Sequence, residues 1–311
     1  MAQLKAQVDK LLTNVAIMQK VKGTVAEQLF PSIKAAQYSG LLGKYGKSHL
    51  RLENSVKGGR GKYRRVETIT RTTQQFLIEG HGLEGFVSKE DYANVETPFE
   101  AERDETLGLQ SALILEKEKV LADSLTSTSI MTQNTTLTGS NQFSDYLNSD
   151  PIAVFSTARK AIRDGCGEVA DTAVLDYDVW DKLRYHPQML DALGFKENRP
   201  GGLNFQELAS AIGVKRLLVA EAKYNSAAEG QTDSLASVWG KHIVLGVVPE
   251  SLSVGIQTLG MWVTPSGSSP RKVYKQSNFN PPGSTAILCE DEYDCLLSDV
   301  LCGYLIKDAI A

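Results

Sequence analysis

The strongest constraint on the fold is a long helical pattern that begins at Pro98 and continues to about residue 125. A proline suits the first turn of a helix, where a backbone N–H has no intrahelical acceptor. Apolar residues then recur at helical spacing in two stripes, which are Leu107, Ile114, Leu121 and Leu125, and Leu109, Leu113 and Val120. At roughly 1.5 Å per residue the helix extends about 40 Å. We expect it to pack against other parts of the chain on both sides.

Four carboxylates lie in the opening turns of this helix, namely Glu100, Glu102, Asp104 and Glu105. Negative side chains are stabilised there by the positive end of the helix dipole. The cluster is also a candidate acidic patch for a basic partner surface.

The segment 44–71 has the opposite charge and a different pattern. Its cations are Lys44, Lys47, Arg51, Lys57, Arg60, Lys62, Arg64, Arg65 and Arg71, opposed only by Glu53 and Glu67. A glycine-rich basic turn covers 57–62, and the alternation of polar and β-branched residues at 65–70 is typical of a strand. We therefore predict an extended basic hairpin. Because a hairpin with so few core residues does not fold alone, it must lie on the rest of the chain or on a neighbour.

The sequence leaves three interpretations of this hairpin open: a solvated loop, a nucleic-acid contact, or a contact with an acidic surface of a neighbouring subunit. In the third, Lys57, Arg60, Lys62, Arg64 and Arg65 lie against a carboxylate-rich helix start, and charge complementarity stabilises the contact. The acidic members are then Glu100, Glu102, Asp104 and Glu105.

The remaining pattern mixes helices and short strands, which predicts an α+β fold. Helices are expected at 4–29, 150–163, 178–185 and 189–193, and a loop at 126–149. Strands are expected near 40–42, 172–175, 215–219, 238–248, 286–289, 294–297 and 304–306.

Composition argues against several functional classes. The net charge of −4 over 311 residues lacks the basic excess of a dedicated nucleic-acid binder. The four cysteines, Cys166, Cys289, Cys295 and Cys302, have no CxxC spacing, and we expect buried free thiols in a reducing cytoplasm. The four histidines have no metal-ligand spacing, and neither a phosphate-binding glycine motif nor a nucleophile elbow is present. We expect no enzyme activity, no cofactor, no metal and no membrane-spanning helix.

Five stretches, in their order along the chain, resemble the major capsid proteins of tailed bacteriophages with the HK97-type fold. The stretch from Gly82-Leu83-Glu84 through 91–94 to 98–104 resembles the entry to that family's long spine helix, and 143–151 resembles its loop into the central domain. Residues 172–187, with Trp180 and Leu183, resemble a strand, a tryptophan-containing helix and a His-Pro step. The other similar stretches are 224–225 with 229–231 and 238–240, and 287–290 with 304–306.

The resemblance implies an architecture with four parts. These are an N-terminal arm at 1–43, an extended E-loop hairpin at 44–88, a peripheral P-domain at 89–149 and 272–311 with a spine helix at 98–125, and a central A-domain at 150–271.

The resemblance also implies the function of a major capsid protein. Copies of the chain would assemble through pentamers and hexamers into an icosahedral shell around double-stranded DNA. The expected partners are the chain itself, the packaged DNA, a portal protein, and scaffold or decoration proteins. The expected location is the virion capsid, after synthesis in the cytoplasm of a bacterial host.

Some members of the family lock the shell with isopeptide bonds between lysine and asparagine, assisted by a glutamate. Glu290 matches that glutamate, but Gly283 stands at the place of the asparagine. Two alternative functions remain open from the sequence: the shell of an encapsulin-like compartment, and a nucleic-acid-binding protein that uses the basic hairpin.

Overall fold

The computed structural model of the chain describes residues 7–53, 55–56, 63, 71–94, 98–195, 201–228, 230–249, 257–267, 269–279 and 283–311. The helices are α1 Lys10–Met18, α2 Ala26–Leu29, α3 Lys89–Asn94, α4 Pro98–Thr126, α5 Pro151–Cys166, α6 Tyr177–Leu183, α7 Pro187–Ala192 and α8 Phe205–Ile212. The strands are β1 Gln7–Val8, β2 Ser32–Ala35, β3 Ser39–Tyr45, β4 Arg71–Leu77, β5 Glu79–Val87, β6 Asn134–Thr136, β7 Thr172–Asp176, β8 Arg216–Ala220, β9 Lys223–Asn225, β10 Leu235–Ser237, β11 Ile243–Gly246, β12 Gly260–Pro265, β13 Arg271–Phe279, β14 Ser284–Leu297 and β15 Gly303–Lys307. Short 3₁₀ turns lie at Lys47–Leu50, Gly139–Asn141 and Val300–Cys302.

The first sheet is built around β14. Antiparallel β13 pairs with residues 284–291 of β14 and antiparallel β5 with residues 285–293, so these two strands lie on opposite sides of it. The remaining end of β14 pairs with β12, which in turn holds β2 in a parallel ladder, and β1 pairs with β13. One face of this sheet is covered by α1 and α4, through a cluster of Leu12, Leu113, Val273, Ile287 and Cys289.

The second sheet has the strand order β6-β15-β11-β7-β8. Its inner strands are buried along their whole length, as expected for a sheet with helices on its faces. Its side chains share the main hydrophobic core with α5, α6 and α8 and with the C-terminal half of α4.

The sequence predicted α4 closely, and it continues for 29 residues. Leu113, Ile114, Leu121 and Leu125 are buried as expected, whereas Val120 is 38% exposed and does not belong to a buried stripe. The helix predicted from residue 150 is also present. Asp150 caps it by accepting a hydrogen bond from the Ala153 N–H, and the chain leaves it through Gly167 at φ +86°.

Two other expectations were wrong. The helix predicted over 4–29 is divided into α1 and α2, because Gly23 between them has φ +83° and turns the chain. The two short strands predicted at 286–289 and 294–297 are one continuous strand, β14. Asp291 and Glu292 are buried within it because cations of β13 pair with them.

The sheets divide the chain differently from the expected domain ranges. β15 was expected in the peripheral part at 272–311, but it lies between β6 and β11 in the second sheet. Its residues 303–306 are buried, like the inner strands of that sheet. Conversely, β12 falls in the range 150–271 expected for the A-domain, but it pairs with β14 and β2 in the first sheet. β5, expected within the hairpin at 44–88, also belongs to the first sheet.

Candidate assembly interface

The predicted hairpin has a well-defined base. β3 and β4 pair antiparallel from Ser39–Leu77 to Tyr45–Arg71, and we call these strands and the chain between them the E-loop hairpin. The cations predicted to contact a neighbour, which are Lys57, Arg60, Lys62, Arg64 and Arg65, lie outside the described residues, as does the strand predicted at 65–70.

The base of the E-loop hairpin is held by charge on the body of the same chain. Lys44 Nζ and Lys47 Nζ lie 3.7 and 3.6 Å from the two carboxylate oxygens of Asp299. Lys47 also donates a hydrogen bond to the carbonyl of Gly165, at the end of α5. These contacts fix where the hairpin leaves the body.

The E-loop hairpin presents apolar side chains to solvent, in its base and between its two strands. The exposed ones are Leu41, Leu50, Leu52, Val56, Tyr63 and Leu77, and Leu52 is 99% exposed. Six exposed apolar side chains on one hairpin make it a candidate interaction surface. The composition of the hairpin therefore favours a partner surface over permanent solvation.

The four carboxylates at the start of α4 do not form one free acidic patch. Glu102 is buried, where it accepts hydrogen bonds from the Tyr92 hydroxyl, at 2.8 Å, and from Lys275 Nζ. Burial raises the pKa of Tyr92 to about 12. Asp104 is exposed but pairs with Arg103 at 2.9 Å, and Glu100 and Glu105 are half-buried. Glu102 is therefore unavailable to a neighbour, since its charge is used inside the chain.

A different set of carboxylates lies on the face of the first sheet opposite α4. Directly paired residues share a face of a sheet, and the ladders place Glu84, Lys272, Tyr274 and Glu290 on one face with Glu292. Glu292 is neutralised locally, because it accepts hydrogen bonds from the Tyr38 hydroxyl at 2.9 Å and from Lys272 Nζ at 2.6 Å. Glu84 is exposed and Glu290 is half-buried. We call Glu84, Glu290 and Glu292 the outer-face carboxylates.

The two residues that match the isopeptide-forming positions, Gly283 and Glu290, lie just before β14 and within it. Gly283 lies just before the strand with φ +91°, and Glu290 follows on the outer face. Glycine has no side-chain carboxamide, so residue 283 cannot accept an isopeptide bond from lysine.

An aromatic surface that was not predicted from the sequence lies on α6 and its C-terminal turn. Trp180 stacks on Phe205 with ring centroids 4.9 Å apart, and Tyr177 lies 5.3 Å from Trp180. The guanidinium carbon of Arg184 lies 4.3 Å from the Trp180 centroid and 4.8 Å from that of Tyr185. Residues 177, 180, 184 and 185 recur at helical spacing, and this spacing is the sequence pattern from which the surface could have been predicted. Because Tyr177, Tyr185 and Phe205 are more than a third exposed, this aromatic surface is open to solvent.

Each histidine whose side chain the structure describes contacts other groups of the fold. His81 stacks on Tyr293, His186 shares a hydrogen bond of 3.0 Å with the Ser149 hydroxyl, and His242 Nδ1 accepts from the Asp308 N–H at 3.1 Å. Burial lowers the pKa of His186, which favours its neutral form. Among the described residues, His, Cys, Asp and Glu form no group of three that could hold a metal ion. Of the described helices, none has both the length and the apolar character needed to cross a membrane.

The chain is similar to known proteins along most of its length. The major capsid protein of Burkholderia phage BcepMu is 26% identical over 244 residues, which cover 78% of this chain and 76% of the relative. A crystal structure of a phage-related protein from Bordetella bronchiseptica superposes with a TM-score of 0.75 at 24% identity and covers 98% of both chains. The capsid structure of cyanophage P-SCSP1u superposes with a TM-score of 0.61 at 11% identity, over 93% of this chain and 89% of that one. No family model matches the chain.

Proposed function

We propose that this chain, a phage major capsid protein with the HK97-type fold, builds its shell through contacts in which the E-loop hairpin of one copy lies on a neighbouring copy. The observation that carries the proposal is the hairpin itself. Its base is fixed to the body by Asp299 and Gly165, while its apolar side chains are exposed. A base that is fixed to the body and carries exposed apolar side chains suits a contact between copies.

The acidic side of this contact consists of Glu84 and Glu290 among the outer-face carboxylates, because Glu292 is neutralised by Lys272. The start of α4 is a weaker candidate, since Glu102 is buried and bonded to Lys275. Glu84 is exposed and Glu290 is half-buried on this sheet face, and Lys272 donates its hydrogen bond to Glu292. Complementary charge at a contact between proteins affects the register and the rate of association more than the affinity of the contact.

The aromatic surface on α6 forms a second contact between copies. A ring of subunits uses two different patches on each copy, so that the contact is heterologous and closes by rotation. Exposed aromatic and arginine side chains are the residue types that dominate binding energy at protein interfaces. Phe205, stacked on Trp180, is the central member of this surface.

In the virion, copies of the chain would form pentamers and hexamers of an icosahedral shell that encloses double-stranded DNA, with a portal protein and scaffold or decoration proteins as further partners. Synthesis would take place in the bacterial cytoplasm. The net charge of −4 fits a wall that does not bind the genome tightly.

The test is electron microscopy and sedimentation of the chain expressed alone and of charge variants. We expect closed or tubular shells of uniform curvature from the wild type. The variant Arg60→Gln/Lys62→Gln/Arg64→Gln/Arg65→Gln should remain a folded subunit by circular dichroism but fail to assemble. Normal shells from this variant would refute the role of the hairpin charge.

A charge reversal tests which carboxylates the cations of the E-loop hairpin contact on the neighbouring copy. Arg60→Glu with Lys62→Glu should block assembly, and adding Glu84→Lys with Glu290→Lys to the same chain should restore it. If Glu100→Lys with Asp104→Lys restores it instead, the hairpin lies on the start of α4. Shells that enclose a co-purified enzyme would favour the encapsulin-like compartment. Small species whose DNA binding weakens steeply with salt would favour the nucleic-acid function.

A further inference from the structure

Strand β5 has an open edge. It pairs with β14 through nine consecutive residues without a bulge, and no other strand of the described residues pairs with it. The strand contains no proline, and its exposed residues include Gly80, Gly82, Leu83, Glu84 and Phe86. A long and regular edge strand presents unpaired backbone groups, to which a strand of another chain can add.

The neighbouring ladder shows which backbone groups point outward. In an antiparallel sheet, the N–H and C=O of one residue point to the same side, and successive residues alternate. The Glu292 N–H donates a hydrogen bond to the Pro270 carbonyl at 3.0 Å, so Glu292 and every second residue before it face β13. The odd-numbered residues of β14, from Thr285 to Tyr293, therefore face β5.

A second hydrogen bond agrees with this assignment. Val273 of β13 lies opposite Cys289, which is one of the β14 residues that face β5. Val273 should then direct its backbone away from β14. Its carbonyl accepts a hydrogen bond from the Asp9 N–H at 2.9 Å, on the side of β1.

The same rule assigns the backbone groups of β5. Its odd-numbered residues lie opposite the odd-numbered residues of β14 and face them. Its even-numbered residues direct their N–H and C=O away from the sheet. We call these outward groups the β5 edge, and they belong to Gly80, Gly82, Glu84 and Phe86.

The charge around the β5 edge is negative. Glu79 and Glu84 are exposed on β5, and Glu290 lies opposite Gly82 on β14. Two such edges repel each other, because each brings the same carboxylates to the contact. The charge therefore disfavours pairing between the β5 strands of two copies and favours a cationic strand.

Segment 64–70 of this chain has the composition of such a strand. It combines two arginines with four β-branched residues, which favour extended structure. The segment lies outside the described residues, and it joins β4 at Arg71, the end of that strand far from β5.

The segment is too short to reach the β5 edge of its own chain. β4 and β5 follow each other with only Ile78 between them. Residues 71–79 extend over about 26 Å at roughly 3.3 Å per residue, whereas the seven residues before Arg71 span at most about 25 Å. A copy of segment 64–70 that lies along the β5 edge must come from a second subunit.

We propose that segment 64–70 of a neighbouring copy adds as a strand to the β5 edge, so that the first sheet continues from one subunit into the next. This inference rests on the proposed function, since it specifies how the E-loop hairpin binds its neighbour. Main-chain hydrogen bonds supply the affinity, and the arginines beside Glu84 and Glu290 set the register. Gly80 and Gly82 carry no side chain, which allows another backbone to approach closely.

The test measures amide hydrogen exchange, residue by residue, in the free subunit below its assembly threshold and in the assembled shell. The odd-numbered amides of β5 should be protected in both states, because they face β14. The amides of Gly80, Gly82, Glu84 and Phe86 should exchange freely in the subunit and at least about tenfold more slowly in the shell. Free exchange of these four amides in the shell would overturn the strand addition. Their protection in a free subunit that sediments as a dimer would also overturn it, since two β5 strands would then pair.

Two substitutions of Gly82 form a matched pair. Gly82→Pro removes one outward donor, and an edge strand tolerates proline where the N–H points away from the sheet. Gly82→Ala keeps the donor, and its Cβ would make an ordinary contact of 3.5 Å with the Cys289 carbonyl oxygen. Both subunits should melt at similar temperatures, but Gly82→Pro should need at least about tenfold more protein to form shells. Equal thresholds would contradict the strand addition, and if Gly82→Pro does not fold, the exchange of the four amides decides.

Failure of this inference differs from failure of the proposed function. Absence of shells from the wild type would overturn the proposed function and the strand addition with it. Shells that are lost when the hairpin cations are neutralised, but in which the β5 edge exchanges freely, would overturn the strand addition alone.

Discussion

The indole Nε1 of Trp239 donates a hydrogen bond to the carboxylate of Glu118, and the two atoms are 2.6 Å apart. The same carboxylate accepts hydrogen bonds from the backbone N–H groups of Val25 and Ala26. Glu118 is fully buried in the middle of α4. One side chain of the spine helix therefore connects the start of α2 with the chain that leads into the second sheet.

Replacing Glu118 with alanine should destabilise the fold strongly. Three buried N–H donors would lose their acceptor, and each unsatisfied buried donor costs about 1–3 kcal/mol. We expect the free energy of unfolding in urea to fall by about 3 kcal/mol or more. Glu116→Ala is the control on the same helix, and it should cost less than about 1 kcal/mol because the Glu116 side chain is about half exposed, with its carboxylate 3.4 Å from His81 Nδ1. Equal effects of the two variants would contradict the role of Glu118.

The same carboxyl predicts a pH dependence. Burial raises the pKa of Glu118, although the hydrogen bonds from Trp239, Val25 and Ala26 oppose the rise. The folded state therefore binds this proton more tightly than the unfolded chain, whose glutamate pKa is about 4.3. The protonated form contributes stability below that value, and this stability is lost as pH rises through the raised pKa. Relative to Glu118→Gln, the wild type should lose unfolding free energy as pH rises from about 4. A constant difference across that pH range would argue against the shift.

Removing the charge of Lys117, the neighbour of Glu118 in sequence, should also destabilise the fold. Its Nζ lies 3.7 Å from Asp291 and 3.8 Å from Glu27, and 4.5 Å from the Tyr293 ring centroid. Lys117→Met leaves the buried carboxylate of Asp291 with Arg271 as its remaining cation, so the loss should be below the about 3–5 kcal/mol that a wholly unpaired buried charge costs. In a double-mutant cycle, adding Asp291→Asn to Lys117→Met should recover part of the loss. Additive losses would mean that the two charges are not coupled.

A charge on the buried stripe of α4 should unfold the subunit. Ile114 is 4% exposed, and a carboxylate there would have to leave water without a partner. We expect Ile114→Asp to give insoluble protein or to lose its cooperative melting transition. Val120→Asp is the matched control on the same helix, and it should change stability by less than about 0.5 kcal/mol since Val120 is largely a surface residue. A soluble Ile114→Asp with an unchanged melting curve would contradict the packing of the helix.

The aromatic surface predicts a variant that folds but assembles poorly. Phe205 is 47% exposed, so Phe205→Ala should change the melting temperature of the free subunit little. Loss of an aromatic anchor at an interface costs about 2 kcal/mol or more for each contact. We expect a higher threshold concentration for shell formation by light scattering. Val169→Ala, at the same exposure, should leave that threshold unchanged, and a similar rise in both variants would remove the aromatic surface from the interface.

Features that depend on residues close together in the sequence were predicted correctly. Features that depend on residues far apart in the sequence were missed. The spine helix depends on Pro98 and on apolar spacing within a few turns, and its bounds were nearly right. The acidic patch was inferred from local charge alone, whereas the partner of Glu102 is Lys275, which is 173 residues away. Similarly, the strands predicted at 286–289 and 294–297 left out Asp291, because its partner Arg271, 20 residues earlier, could not be identified from the sequence. The burial of a charge cannot be predicted until its partner is known.

The parallel ladder between β2 and β12 has a consequence for how fast the subunit reaches its native state. Trp262, in β12, donates its indole N–H to the carbonyl of Ala26 from 236 residues further along the chain. Closing so long a loop is entropically unfavourable, and proteins rich in such non-local pairings fold slowly. A newly made chain therefore spends an extended period with an incomplete first sheet and uncovered strand edges. In dilution from denaturant, recovery should be limited by competition between slow folding and aggregation, and lower temperature or lower protein concentration should favour the native subunit.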